Sequence, residues 1–141
     1  MKGIVLAAGK GTRLYPMTKP VCKPLLPVYD KPLIYYPIAT LLQAGIKDIL
    51  VIIPPGEEKE FTNLLGDGSE FGIHIEFAVQ KVARGIADAL IIGEDFIGDD
   101  SVCLVLGDNI FHCHNLDEIM KEAIKDDHGA KVFGYYVDDS R

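Results

Sequence analysis

Apolar and polar positions alternate along this chain with two periods, one typical of strands and one typical of helices. Apolar runs or strict alternation predict five strands, at residues 2–7, 48–53, 73–79, 101–106 and 130–137. Apolar positions three and four residues apart predict four helices, at residues 32–44, 57–65, 86–96 and 116–125. The alternation of the two element types predicts an α/β fold with three layers, in which helices cover both faces of a mainly parallel sheet.

Local signals refine these predictions. Asp30 is a candidate N-cap for the first helix, and Gly45 suits the position just beyond its end. Residues 101–106 are nearly all apolar, which is typical of a central strand covered on both faces. A long loop rich in glycine and proline, at residues 9–29, separates the first strand from the first helix.

Composition and charge exclude several classes of protein. The chain has 141 residues, with 14 Lys and Arg against 21 Asp and Glu, which gives a net charge of −7. An acidic chain without a basic tract is not expected to bind nucleic acid. No apolar run is long enough to span a bilayer, and the first residues do not resemble a signal peptide. The three cysteines are spaced unlike a metal site, so we expect reduced thiols and a cytoplasmic location.

Three segments with chemistry-bearing side chains each follow a predicted strand, at residues 8–13, 80–85 and 107–109. Ligands of parallel sheets bind beyond the carboxyl ends of the strands. We therefore expect these segments to meet at one rim of the sheet, although they lie far apart in the sequence.

The first of these segments is a glycine-rich loop. Gly9 and Gly11 allow backbone N–H groups to approach a phosphate, and Lys10 and Arg13 add cationic donors. The spacing matches neither a P-loop nor a dinucleotide fingerprint, since Leu14 stands where the latter needs glycine. Taken alone, the loop fits a phosphate site and an exposed turn equally well.

Single side chains elsewhere suggest further chemistry. Lys23 lies in a proline-tied segment that would hold it in place. The Gln80 amide has the donor and acceptor needed to pair with a pyrimidine edge. Asp108 directly follows an apolar strand, where its carboxylate suits Mg²⁺. The alternatives are a surface lysine, a solvated strand end and a capped turn.

Four motifs together resemble the sugar-1-phosphate nucleotidyltransferase family. They are GKGTR at residues 9–13, KPLLP at 23–27, KPLI at 31–34 and GDN at 107–109. The resemblance extends along the whole chain. It implies the Rossmann-like nucleotide-diphospho-sugar transferase fold, with three layers and a mainly parallel sheet.

The resemblance also implies roles for particular residues at the phosphates. Residues matching the loop that wraps the triphosphate are Gly9, Gly11, Thr12 and Arg13. Arg13 would neutralise charge on the departing pyrophosphate, and Lys23 would contact the phosphates at the reacting centre. Both charges would act by stabilising the transferring group.

The remaining implied roles concern the base, the metal and the sugar. Gln80 and Gly85 match positions that bind the base. Asp108 matches a Mg²⁺ ligand, and Asn109 would face the sugar phosphate. The implied catalytic residues are therefore Arg13, Lys23 and Asp108.

The implied reaction is an in-line displacement. An oxygen of glucose 1-phosphate attacks the α-phosphorus of dTTP with the help of Mg²⁺, which gives dTDP-glucose and pyrophosphate. The attacking phosphate is mostly dianionic near neutral pH, so no general base is needed. Ala8 and Pro24 stand where family members that use dTTP usually have Gly and Gln. UTP, another sugar 1-phosphate and a binding fragment without turnover therefore remain alternatives.

Family chains are longer than this one. We therefore expect residues 1–141 to form the nucleotide-binding N-terminal part of a nucleotidyltransferase domain. The sugar-binding C-terminal part, with a second carboxylate for Mg²⁺, would be absent and activity impaired. The resemblance further implies a cytoplasmic homo-oligomer.

Overall fold

The computed structural model describes residues 1–9, 11–125, 128–134 and 136–137. Its strands are β1 (Lys2–Leu6), β2 (Pro27–Val28), β3 (Lys31–Pro32), β4 (Asp48–Ile53), β5 (His74–Val79) and β6 (Val102–Leu106). Its α-helices are α1 (Tyr35–Gln43), α2 (Glu58–Leu65), α3 (Asp88–Ile92), α4 (Glu94–Ile97) and α5 (Leu116–Lys125). Within these described residues, none of the helices has the length and apolar character needed to cross a bilayer.

The main sheet has four strands in the order β5-β4-β1-β6, and every neighbouring pair is parallel. Side chains of β1 and β4 alternate between two apolar clusters. Ile4, Leu50 and Ile52 pack with Ala89 on one face of the sheet. Val5 belongs to the cluster on the other face.

Helices cover both faces of this sheet. The cluster that contains Val5 includes α1, α2 and α5 residues, namely Ile38, Leu41, Phe61, Leu65 and Met120. The cluster that contains Ile4 includes Ala89 of α3, with Phe96 and Ile97 of α4 packed against it. The predicted three-layer α/β architecture with a mainly parallel sheet is therefore confirmed.

The start of the first helix differs from its prediction. Residues 27–32 form a small antiparallel hairpin of β2 and β3, so α1 begins at Tyr35. Asp30 does not cap the helix. Its carboxylate accepts a hydrogen bond from Lys31, which lowers the pKa of Asp30. At the other end, Gly45 (φ +83°) donates to Leu42 O as predicted for a residue just beyond the helix.

The predicted helix at residues 86–96 is divided into α3 and α4 at Gly93. Gly93 packs closely on the sheet, because a Cβ there would lie 2.9 Å from Ile4 Cδ1. The close approach of chain and sheet bends the segment where an apolar pattern predicts one continuous helix.

The prediction for the last two strands was wrong in two respects. Within the described residues β6 is an edge strand, not a central one, and only Val105 of it is buried. The described part of residues 130–137 forms no strand, and Tyr135 lies outside the description. Lys131 instead donates to Ala123 O at the end of α5, and Val132 is exposed. An apolar run favours a strand only where it reaches a free sheet edge in register.

Candidate functional site

A cavity of about 250 Å³ opens at the carboxyl ends of β1, β5 and β6. It brings together five of the residues singled out in the sequence, which are Gly9, Lys23, Gln80, Gly85 and Asp108. The rim predicted from the three strand ends therefore exists, and each of the three segments contributes to it.

The chain enters the cavity from β1. Ala7 N–H donates to Ile52 O at 2.7 Å, which extends the sheet pairing beyond the end of β1. Ala7 and Ala8 are buried, and Gly9 emerges at the surface of the cavity. Lys10 lies outside the described residues.

The loop continues around Gly11, which packs on the stem of Lys23. Gly11 has φ +60°, and a Cβ there would lie only 2.9 Å from Lys23 Cβ. The Thr18 hydroxyl donates to Gly11 O at 2.7 Å and is buried. Gly11 therefore serves the shape of the loop beneath Lys23 and does not line the cavity itself.

One end of the cavity carries a pair of opposite charges. Lys23 Nζ lies 2.6 Å from Asp108 Oδ2, and the two side chains are 32% and 39% exposed. Lys23 begins a short 3-10 turn, Lys23–Leu25, in which Pro24 is buried. Asp108 follows Gly107, where a Cβ would lie 2.9 Å from Ala7 Cα. Close packing of β6 on β1 thus fixes the base of the Asp108 loop.

The Gln80 side chain is also bonded to a carboxylate. Gln80 is 6% exposed, and its Nε2 donates to Asp88 Oδ2 at 2.9 Å. Its backbone N–H donates to Ile53 O at 2.9 Å, so the main chain is also held. Gly85 has φ +99° with no heavy atom within 4 Å of a Cβ, which leaves open space beside it.

Four residues singled out in the sequence do not line this cavity, namely Gly11, Thr12, Arg13 and Asn109. Thr12 and Arg13 lie exposed in a 3-10 turn, Thr12–Leu14. Asn109 is half-buried beyond Asp108 and donates its N–H to Leu106 O. Their roles therefore stay predictions.

Sequence reasoning assigned no role to two polar residues that shape the site, Thr18 and Asp88. Thr18 carries no sequence signal, because its hydrogen bond to Gly11 depends on the path of the loop. Asp88 lies eight residues after Gln80, and only the fold brings the two side chains together.

The thiol beside Lys23 is not a nucleophile. Cys22 is buried, and burial followed by the nearby Glu57 charge raises the pKa of its thiol to about 12. Because the thiolate is the reactive form, Cys22 remains an inert packing residue near neutral pH.

Asp108 is the carboxylate at this rim that a cation could use. Among the described residues, no group of three or more His, Cys, Asp or Glu side chains could hold a metal by itself. One exposed carboxylate fits Mg²⁺, which binds through one or two carboxylates and completes its shell with phosphates and water.

Known proteins resemble this chain over nearly its whole length. Glucose-1-phosphate thymidylyltransferase of Neisseria meningitidis serogroup A is 60% identical over 137 residues, 97% of this chain and 48% of that protein. A Bacillus anthracis protein assigned as a glucose-1-phosphate thymidylyltransferase, solved with sucrose, superimposes with TM-score 0.82 at 43% identity. That match covers 89% of this chain and 50% of the other.

A UDP-glucose pyrophosphorylase complexed with UDP-glucose superimposes with TM-score 0.70 at 26% identity, over 88% of this chain and 52% of its own. The chain spans about half the length of the curated relatives it matches. A profile of the family described as nucleotidyl transferase matches residues 2–141. Motifs, fold and profile agree, and the chain belongs to the nucleotidyl transferase family.

Proposed function

We propose that this chain is the nucleotide-binding part of a glucose-1-phosphate thymidylyltransferase, which forms dTDP-glucose and pyrophosphate from dTTP and glucose 1-phosphate. The observation that carries the proposal is the meeting of Gly9, Lys23, Gln80 and Asp108 in one cavity. Relatives of that name between 50% and 60% identical to this chain support the choice of reaction.

We assign the triphosphate to the end of the cavity that carries Lys23 and Gly9. The Lys23 ammonium is a point charge suited to phosphate oxygens, and Gly9 leaves its backbone open to close approach. Arg13 is exposed outside the cavity and would meet the outer phosphates from the solvent side. Thr12 and Gly11 would support the same loop.

We assign the base to Gln80 and Gly85. The Gln80 side chain is a hydrogen-bonding group held in a largely buried position, as base recognition requires. Gly85 has no side chain, and the open space beside it would admit a ring. Asn109, next to Asp108, would face the sugar phosphate.

The reaction follows from this placement. An oxygen of the sugar 1-phosphate attacks the α-phosphorus, and the bond to the pyrophosphate oxygen breaks. The attacking phosphate is already mostly dianionic, so the chain needs to supply no base. Lys23 contributes positive charge where negative charge accumulates, and this is the main way proteins accelerate such transfers.

We propose Mg²⁺ as the cofactor, held by Asp108 together with phosphate oxygens. When bound, Mg²⁺ would neutralise phosphate charge and orient the α-phosphate. The donor set fits, since Asp108 supplies a hard carboxylate oxygen that is partly open to solvent.

The Lys23–Asp108 ion pair is expected to open when the ligand binds. Each charge neutralises the other across 2.6 Å while both remain partly exposed. Exposed pairs contribute little net stability, so a phosphate can draw Lys23 away at small cost. Asp108 is then left without its counter-charge and able to bind a divalent cation.

Calorimetric titration of the chain with dTTP in the presence of Mg²⁺ tests the proposal. We expect saturable binding that weakens by about tenfold or more in Asp108→Asn, because a charged contact is removed. Asp117→Asn is the matched control, since Asp117 is an exposed carboxylate paired with Lys121 on α5. Binding that is absent in the wild-type chain, or equal in both variants, would contradict the proposal.

Titration with UTP separates the two pyrimidine nucleotides. The names of the relatives favour dTTP, so we expect dTTP to bind more tightly than UTP. Tighter binding of UTP would instead favour a uridylyltransferase. Release of pyrophosphate on adding glucose 1-phosphate would show whether this chain alone turns over.

We also propose that the protein is cytoplasmic and forms homo-oligomers. The thiols Cys22, Cys103 and Cys113 are all unpaired, which fits a reducing compartment. Beside β6 lies a mostly apolar cavity of about 560 Å³ that association could cover. Light scattering of the purified chain measures its mass directly, and a monomer at all concentrations would contradict the second proposal.

A further inference from the structure

Asp88 is a polar residue of the site region that the proposed reaction leaves without a role. It does not line the cavity, yet its Oδ2 accepts a hydrogen bond from Gln80 Nε2 at 2.9 Å. A carboxylate accepts hydrogen bonds and donates none, so it can bond only the amino side of an amide. Asp88 therefore determines which way round the Gln80 amide lies.

The orientation of the amide decides what Gln80 presents to a ligand. Among the residues that the structure describes, Gln80 Oε1 accepts no hydrogen bond, and no buried side-chain polar atom lacks a partner. Oε1 is therefore accessible, and Gln80 lines the cavity. With Nε2 held by Asp88, the carbonyl oxygen is the end of the amide that has no partner in the described part of the chain and can accept a hydrogen bond from a ligand.

The residue next to Asp88 is packed into the core. Ala89, its neighbour in α3, is fully buried and packs with Ile4, Leu50 and Ile52 of the central strands. A binding group is most selective when such packing holds the residue behind it. The Gln80–Asp88 bond thus joins the cavity to the centre of the sheet.

We propose that Asp88 is a positioning residue that locks Gln80 as a hydrogen-bond acceptor, and that this lock selects pyrimidines with a ring N3–H. This inference rests on the proposed function, since it assumes that the base binds at Gln80. Thymine and uracil carry a donor at N3, whereas cytosine carries an acceptor there. A fixed carbonyl oxygen pairs with the first two bases and opposes the third.

The lock makes no distinction between thymine and uracil, because both share the N3–H group. It therefore leaves the choice of dTTP over UTP to other residues. Without the lock, the Gln80 amide could turn over and offer its amino group to cytosine, and selectivity would fall.

Calorimetric titrations of the full chain with dTTP, UTP and dCTP in the presence of Mg²⁺ test this inference. Asp88→Asn is the informative variant, because asparagine can still bond Gln80 but can either donate or accept. We expect the ratio of dTTP to dCTP affinity to fall by about tenfold, the size of one net hydrogen bond, and the ratio of dTTP to UTP to stay constant. Asp95→Asn in α4 removes the same charge from an exposed position and should change neither ratio.

A purely structural role for Asp88 predicts a different outcome. If Asp88 only satisfies the buried amide, Asp88→Asn keeps the ratio of dTTP to dCTP affinity unchanged, and the inference is wrong while the proposed function stands. Asp88→Ser, which can also donate or accept, repeats the test should Asp88→Asn fail to fold. An equal loss of affinity for all three nucleotides in a folded variant also contradicts the inference. Absence of nucleotide binding by the wild-type chain overturns the proposed function together with this inference.

Discussion

Two polar pairs at the candidate site differ in burial and in the elements that hold them. The pair of Lys23 and Asp108 lies between two surface loops and is partly exposed at both partners. The pair of Gln80 and Asp88 joins a strand end to a helix packed on the core, and Gln80 is largely buried. An exposed ion pair exchanges partners easily, whereas an unpaired buried amide costs about 1–3 kcal/mol. We therefore expect the Lys23–Asp108 pair to exchange partners when a ligand binds and the Gln80–Asp88 bond to stay in place.

Loss of the Lys23 charge should have the largest effect on binding. We expect Lys23→Gln to weaken dTTP binding by about 10–100-fold, since hydrogen bonds to charged groups contribute about that much. Lys121→Gln is the matched control, because Lys121 also pairs with an aspartate but lies on α5. Equal affinities of the two variants in calorimetric titrations would show that the charged pair does not take part.

Substitution of Gly11 tests how closely the loop packs beneath Lys23. Gly11→Ala places a side chain at φ +60° and a Cβ 2.9 Å from Lys23 Cβ. We expect the free energy of unfolding to fall by about 1–3 kcal/mol, as for other strained left-handed residues. Gly9→Ala meets no heavy atom within 4 Å and should leave stability nearly unchanged. Chemical denaturation of both variants gives the comparison, and equal losses would contradict it.

Arg13 should contribute less than Lys23, because it is exposed and lies outside the cavity. We expect Arg13→Ala to weaken dTTP binding by about twofold to fivefold, the range of exposed charge pairs. The loss should shrink at high ionic strength, where exposed charges are screened. A loss as large as that of Lys23→Gln would mean that the loop closes onto the phosphates when they bind.

The titration of the Cys22 thiol gives a pH-dependent test of the packing of the same loop. Burial, followed by the Glu57 charge, raises the pKa of its thiol from 9.0 to about 12. Between these two values the folded state keeps a proton on Cys22 that the unfolded state releases. The contribution of this thiol to the free energy of unfolding is complete below pH 9.0 and is lost as the pH rises toward about 12. In denaturant titrations over that range, the wild-type chain should lose more stability than Cys22→Ala. Equal losses of stability in the wild-type chain and in Cys22→Ala would mean that the thiol is not buried in solution.

The sequence predicted the sheet well where apolar patterns were strong. β1, β4 and β5 lie at or within one residue of their predicted limits, because alternation and fully buried runs reflect the two faces of the sheet. The hairpin of β2 and β3 was missed, since strands of two residues each have no measurable period. An apolar run such as β6 has the same composition at an edge as at the centre, so its position was predicted wrongly.

The site was predictable to the extent that it depends on strand ends. Gly9, Gln80 and Asp108 lie within three residues of the carboxyl ends of β1, β5 and β6, and the rule for parallel sheets places such residues at one rim. Asp88 follows no such rule. Its importance comes from a contact with Gln80 that α3 creates by packing Ala89 into the core, and no spacing in the sequence signals that contact.

A crystal structure of this chain with dTTP and Mg²⁺ tests the central claim most directly. The account predicts phosphates beside Lys23 and the base beside Gln80. Lys23 should have left Asp108, now 2.6 Å away, while the 2.9 Å bond between Gln80 and Asp88 persists. A nucleotide bound elsewhere, or one bound here with the Lys23–Asp108 pair intact and the Gln80–Asp88 bond broken, would contradict it.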